Sequence, residues 1–265
     1  MEQAGKIEIK DLSFSYTGSD RLILENINAS FEDGEFVCIL GQSGCGKSTL
    51  LRLIAGLETA SSGEILMHGD QIVGAGLNRG VVFQDYGLFP WKTAGENITL
   101  AIHQRYPKLS KQEMYKLAID MLDKVGLEED VFKKLPKELS GGMQQRCAIA
   151  QAFATDPPIF LMDEPFGALD AVTRAKLQDL VLELWRGQNP RKSVFFVTHD
   201  VDEALLLANR IIVLGQRPSN IIFDIKLEDD FCSSRESEYD DPEVGKLRGE
   251  LIRHINRDVA ERVDR

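Results

Sequence analysis

The chain has 265 residues, of which 43% are hydrophobic and 28% charged, with a formal net charge of −11. That is the composition of a globular chain large enough to bury its own core, as one domain or a domain with a small subdomain, and the acid excess argues against broad nucleic-acid binding. The four cysteines (Cys38, Cys45, Cys147 and Cys232) form no C-x-x-C pair, which excludes zinc and dithiol redox readings and fits a reduced, cytosolic chain.

The opening "MEQAGKIEIK" has no apolar stretch, so no signal peptide is expected. No apolar run approaches the ~20 residues that span a bilayer, so any work at a membrane needs a span from another chain. "KIEIKDLSFSY" alternates apolar and polar, and "LILENINASF" (Leu22–Phe31) does so more loosely; both read as strands of an antiparallel sheet. "EDGEF" supplies a turn, and "FVCIL" (Phe36–Leu40) is solidly apolar, as in a buried parallel strand. A glycine-rich loop follows, then a helix from Lys47 to about Gly56, a strand in "GEILMHG", and a buried strand "GVVFQ" (Gly80–Gln84) ending in a polar residue.

From about residue 88 to 156 the pattern is helical. Ser110 with Glu113 forms a capping-box pair, Met114, Leu117, Ala118, Met121, Leu122 and Val125 keep helical spacing, and Gly126 fits the stop. A second helix is expected from about Gly141 to Ala154, ending before "DPP". Strands resume at Pro158–Met162, Ser193–Thr198, Arg210–Leu214 and Asn220–Ile225, with helical patterns between the first three. Buried strands alternating with helices predict a parallel sheet with helical crossovers. The acidic "LEDD" (Leu227–Asp230) and "ESEYDDPE" (Glu236–Glu243) read as solvated linker, and Val244, Leu247, Leu251, Ile255 and Val259 predict a last amphipathic helix.

Three segments carry chemistry on their own terms. "GQSGCGKST" comprises Gly41, Gln42, Ser43, Gly44, Cys45, Gly46, Lys47, Ser48 and Thr49. It matches the P-loop pattern and has the strand before it and the helix after it that the motif requires. Its glycines let N–H groups turn inward around phosphate oxygens, Lys47 would reach the β- and γ-phosphates, and Ser48 would ligate Mg²⁺. "PIFLMDEP" leads four apolar residues to Asp163 at a strand end. Asp163 would hold Mg²⁺ directly or through water, and Glu164 would orient and polarise an attacking water, although an Asp-Glu pair can also simply cap a turn. "LSGGMQQR" (Leu139–Arg146) runs Ser-Gly-Gly into a helix start, a second anion site in a chain that already has one.

With these motifs in this order, the chain resembles the ATP-binding subunits of ABC transporters over about residues 6 to 225. Leu139-Ser140-Gly141-Gly142-Met143-Gln144 sits where that family has its signature, Gln84 where it has the Q-loop, "GALD" with Asp170 where it has the D-loop, and His199 ends "FFVTH" as the switch histidine does. Tyr16 in "SFSYTG" fits the aromatic that stacks on adenine, though an alternating strand aromatic can equally pack, just as His199 alone could be a core histidine. The resemblance implies an α/β fold: a P-loop NTPase core with a mixed, mostly parallel sheet, an N-terminal antiparallel β subdomain and a helical subdomain. It puts the ATP-binding domain at residues 1–225, with the helical subdomain at about 88–156, and an acidic linker and terminal helix at 226–265.

It also implies ATP and Mg²⁺ (through Ser48, Gln84 and Asp163), catalysis by Glu164, His199 and Gln84, and head-to-tail pairing. In that pair Ser140, Gly141 and Gly142 would bind the γ-phosphate of the partner's ATP. A helix terminus offers only ~0.3–1 kcal/mol, or up to ~2 kcal/mol when partly buried, against the ~8 kcal/mol of micromolar binding. The phosphate loop must therefore carry primary binding, and the signature adds a term present only when ATP bridges two chains.

The large apolar side chains of "DYGLFPWKTAGENI" (Tyr86, Leu88, Phe89, Trp91) read either as core or as a socket for a partner's helix, the region that faces the permease in the family. "LFPW", "LSGGMQQR" and "LMDEPFGALDAVTR" look most like importer subunits of the nitrate, sulfonate and taurine type. That implies a second ATPase subunit (identical or a paralogue), polytopic permease subunits, indirectly an extracytoplasmic solute-binding protein, and a peripheral place on the cytoplasmic side of the cell membrane. A non-transport ABC ATPase, of the cluster-assembly kind, is the alternative. A GTPase or small-molecule kinase has no use for "LSGGMQQR". His68, His103 and His254 belong to no constellation.

Overall fold

The structure, a computed structural model, describes residues 6–18, 21–167, 169–187, 189–229, 231 and 241–263, with side chains in the last helix to residue 256. The first five residues, Ala168 of the "GALD" segment, Cys232 and most of the acidic stretch lie outside the described residues. The chain packs as two compact units: one from residues up to Gly76 and from Pro190 onward, the other from Leu77 to Asn189.

The first unit contains two sheets. β1 (Ile7–Phe14), β2 (Leu24–Phe31), β4 (Ser62–Met67) and the short β5 (Asp70–Gln71) form an antiparallel sheet in the order β2-β1-β4-β5. β1 is bulged between Ile9 and Leu12, where Asp11 takes φ 48°, and Gly63 passes so close that a Cβ there would lie 2.4 Å from the carbonyl oxygens of Lys10 and Asp11. Only glycine fits that approach.

β3 (Phe36–Leu40) lies between β8 (Ser193–Val197) and β9 (Arg210–Leu214), parallel to both, and β10 (Ile221–Lys226) pairs antiparallel with β9. Every residue of β3, β8 and β9 is buried, the pattern of strands covered on both faces. A polar cluster holds this assembly from inside. Arg210, 5% exposed, pairs with Glu35 at 3.1 Å and Asp224 at 2.7 Å, donates to the Ser30 carbonyl at 2.6 Å, and stands 4.6 Å over the Phe31 ring. α1 (Lys47–Ala55) and α6 (Val201–Leu207) pack beside these strands. The expected last helix is present as α7 (Pro242–Val263); it buries Val244, Leu247 and Leu251 and packs on α6 and β9, with Arg248 bonded to Asp202 of α6 at 2.5 Å.

The second unit pairs β6 (Arg79–Val82) parallel with β7 (Ile159–Asp163) and carries α2 (Ala94–Arg105), α3 (Lys111–Lys124), α4 (Gly141–Ala154) and α5 (Ala171–Arg186). α2, α3 and α4 pack on one another. The Ser110–Glu113 capping box forms as the spacing predicts, and a second box, Thr93–Glu96, opens α2. Gly126 takes φ 70° past the end of α3, and Arg146 of α4 donates to its carbonyl at 2.7 Å, fastening α4 to the end of α3.

Candidate functional site

In the first unit the phosphate loop leaves β3 and runs into α1. Gly41 has no room for a side chain: a Cβ would lie 2.7 Å from the Leu214 carbonyl and 2.8 Å from the Cys45 sulfur. Gly44 and Gly46 take φ 80° and 111°, the left-handed region that turns successive N–H groups to one side. α1 has no acidic residue in its first turn, and its first N–H groups have no acceptor within the helix, so the loop presents net positive potential.

Lys47 is buried to 5% exposure, and its Nζ donates back to the carbonyls of Gly41 at 2.8 Å and Gln42 at 3.1 Å. The ammonium is thus held over the loop, on bonds it can exchange for phosphate oxygens. The Thr49 hydroxyl, in the first turn, lies 3.1 Å from the Tyr16 hydroxyl. Tyr16 is 39% exposed, packs edge-on to Phe14 at 4.9 Å, and borders a cleft of about 650 Å³ lined also by Leu57, Glu58 and Ser61. An exposed ring tied to the phosphate loop is available for stacking.

His199 is exposed between a buried strand end and a capped helix. Thr198 accepts from the Asp200 N–H at 3.0 Å, and Asp200 caps α6 by accepting from the N–H groups of Asp202 and Glu203. These bonds fix the backbone from which the imidazole projects.

In the second unit Gln84 is exposed just after β6. Ser140 caps α4, its hydroxyl accepting from Met143 N–H at 3.3 Å, so Gly141 and Gly142 form the first two helical positions, with no acidic residue in that turn. Gln144 turns its amide back to the Leu139 carbonyl at 3.2 Å. The Tyr86 hydroxyl lies beside Gly141, 3.0 Å from where a Cβ would stand. Asp163 ends β7 and is 5% exposed; Glu164 follows with φ 45°. A non-glycine residue held there is strained and has its carboxylate re-aimed relative to the strand. Asp170 accepts from the N–H groups of Val172 at 3.1 Å and Thr173 at 3.0 Å, capping α5. The Thr173 N–H bond foremost holds its carboxyl below the usual carboxylate range.

Residues with no motif to announce them complete the scene. Asn97, 1% exposed, accepts from the Phe89 N–H at 2.8 Å and donates to the carbonyls of Phe89, Lys92 and Thr93. It locks the loop whose Phe89 and Trp91 rings, 5.5 Å apart, are 40% and 72% exposed. The available sign was a polar residue in the otherwise apolar stripe Ala94, Asn97, Ile98, Ile102.

The first unit offers the Ser48 hydroxyl and the second the Gln84 amide and the Asp163 carboxylate, all oxygen donors of the hard kind that Mg²⁺ prefers. Among the described residues no helix is long and apolar enough to cross a membrane.

The ABC transporter family model matches residues 24–167. The nitrate import ATP-binding protein of Synechococcus elongatus is 43% identical over 239 residues, 89% of this chain and 86% of that one. The aliphatic sulfonates import ATP-binding protein of Bacillus anthracis is 44% identical over 216 residues, 81% of this chain and 82% of that one. Among solved structures, a dimeric ATP-binding cassette in a post-hydrolysis state bound to ADP and Pi matches with TM-score 0.76 at 34% identity, covering 84% of this chain and 99% of that one. A phosphate loop on one parallel strand, an Asp-Glu pair ending another, a serine-capped Gly-Gly helix start and these relatives lead to one conclusion: the chain belongs to the ABC transporter family, as an ATP-binding and ATP-hydrolysing cassette.

Proposed function

We propose that this cassette powers an importer for a small anionic solute of the nitrate or sulfonate kind, as a head-to-tail pair of ATPase subunits on the cytoplasmic side of the cell membrane. The import relatives support uptake over the cluster-assembly alternative. Their names support nitrate or a sulfonate as the solute; taurine, a zwitterion, shares the sulfonate group. Polytopic permease subunits supply the membrane span, and the exposed Phe89–Trp91 pair is the surface offered to them. A solute-binding protein acts only through the permease.

Lys47 and the N–H groups from Gln42 through Thr49 hold the phosphates, and Tyr16 stacks on the base. Ser48, Gln84 and Asp163 hold Mg²⁺, which when bound neutralises charge on the phosphate oxygens. Glu164 accepts a proton from the attacking water, and His199 and Gln84 keep that water and the γ-phosphate in register. Ser140, Gly141, Gly142 and Gln144 form the surface that receives the partner's γ-phosphate, with Asp170 at the same interface.

One observation carries the pairing: the α4 start is a capped, acid-free anion site in a chain whose other unit already owns a phosphate loop. Glu164→Gln, which binds ATP without turnover, should dimerise with Mg-ATP by light scattering, and adding Ser140→Arg should abolish the dimer. A dimer that survives Ser140→Arg would refute the role given to the signature helix.

A further inference from the structure

After β9 the chain runs Gly215-Gln216-Arg217-Pro218-Ser219 and turns back into β10. None of these residues belongs to the phosphate loop or to any motif above. Ser219 is fully buried. Its backbone is fastened on both sides: its N–H donates to the Ile23 carbonyl at 2.9 Å, and its own carbonyl accepts from the Glu25 N–H at 2.9 Å. Its hydroxyl lies between two carbonyl oxygens, that of Cys45 and that of Gly215, the latter at 2.7 Å, and shares its one proton between them. Gln216 touches the loop a second time, its amide donating to the Gln42 side chain at 3.4 Å.

We propose that Ser219 is a positioning residue for nucleotide binding: it sets the direction of the Cys45–Gly46 peptide within the phosphate loop. This rests on the reading that the loop binds ATP. A peptide unit is planar and trans, so its C=O and N–H point opposite ways. With the Cys45 carbonyl held toward Ser219 at the buried back of the loop, the Gly46 N–H is turned to the open front. That N–H has no acceptor among the described residues, although Gly46 itself is buried. An N–H at the open front with no acceptor among the described residues is available to a phosphate oxygen. Without the hydroxyl the Cys45 carbonyl loses that bond, and Gly46, at φ 111°, has no side chain to resist rotation of the peptide; the flanking groups stay bonded, Cys45 N–H to the Gln42 carbonyl and Leu50 N–H to the Gly46 carbonyl. The turn itself stays in place, because its backbone bonds to Ile23 and Glu25 do not involve the hydroxyl.

The test compares wild type, Ser219→Ala and Ser219→Thr by calorimetric titration with MgADP and MgATP, with steady-state ATPase kinetics alongside. Ser219→Ala should weaken both nucleotides about tenfold, the scale of one misdirected hydrogen bond to a charged group. The loss should appear as a raised KM for ATP with kcat within about twofold, because ground and transition states share the contact. Ser219→Thr, which keeps the hydroxyl, should restore affinity. If the alanine chain does not fold, Ser219→Cys takes its place: it keeps nearly the same shape but donates weakly, and should bind both nucleotides severalfold more weakly than wild type, an affinity within twofold of wild type overturning the proposal. Affinities within twofold of wild type for Ser219→Ala, or equal losses in the alanine and threonine chains, would overturn the proposal while leaving ATP binding by the wild type intact. Failure of the wild type itself to bind nucleotide would overturn this proposal together with the reading beneath it.

Discussion

Glu164 occupies a backbone region that few side chains accept, at φ 45°, one residue after a strand that buries every side chain. Such a conformation persists only where the surroundings enforce it, at a cost of roughly 1–3 kcal/mol, and it re-aims the carboxylate away from the strand's alternation. Glu164→Gln keeps size and backbone and removes the proton acceptor. Turnover should fall ~10²-fold or more with ATP affinity retained, as measured by single-turnover hydrolysis and nucleotide titration. Near-normal turnover would contradict the assignment. At this scale the sequence was readable wherever chemistry depends on spacing along the chain: Lys47 and Ser48 follow Gly46 directly, and Asp163 and Glu164 end one apolar run. It was silent on Asn97 and Ser219. Asn97 acts through carbonyls that any residue carries, and the oxygen that Ser219 serves lies 174 residues away in sequence. Gln144, expected among the nucleotide-binding residues, has its amide engaged with Leu139 in the structure.

Among the elements, hydrophobic pattern located β3, β7, β8 and β9, because strands buried on both faces leave unbroken apolar runs. The capping box at Ser110 located α3, and the serine before two glycines located α4. α2 was harder to see: it lies inside the expected helical stretch, but its buried face is narrow and includes a glycine and an asparagine. What pattern could not reveal is how β2, β3, β9 and β10 are joined at Arg210. This arginine, itself nearly out of water, binds two carboxylates and a carbonyl and covers an aromatic ring. Arg210→Ala leaves Glu35, at 12% side-chain exposure, with Lys226 at 2.7 Å as its remaining ion-pair partner. Urea unfolding should show a loss of about 1.5–3 kcal/mol, the range for a hydrogen bond to a charged group and short of the ~3–5 kcal/mol of an orphaned buried charge. A loss under ~1 kcal/mol would mean that solvent already screens the cluster.

At the scale of the whole molecule, the motifs divide between two units. Tyr16, the phosphate loop and His199 belong to one; Gln84, the signature helix, Asp163, Glu164 and Asp170 belong to the other. Each unit interleaves distant parts of the chain or sits within them, so unit boundaries do not coincide with breaks in composition. The second unit also carries a built-in optical reporter. It has two tryptophans: Trp91, 72% exposed beside Phe89, and Trp185, 4% exposed in α5. Iodide should quench only the first, leaving a blue-shifted residual emission from the second. When a permease covers Phe89 and Trp91, the quenchable component should disappear and the spectrum should shift blue, with the buried indole as internal reference. Titrating detergent-solubilised transporter lacking this subunit against the native chain would thus report docking without a label, and a Trp91→Phe chain should give no such change.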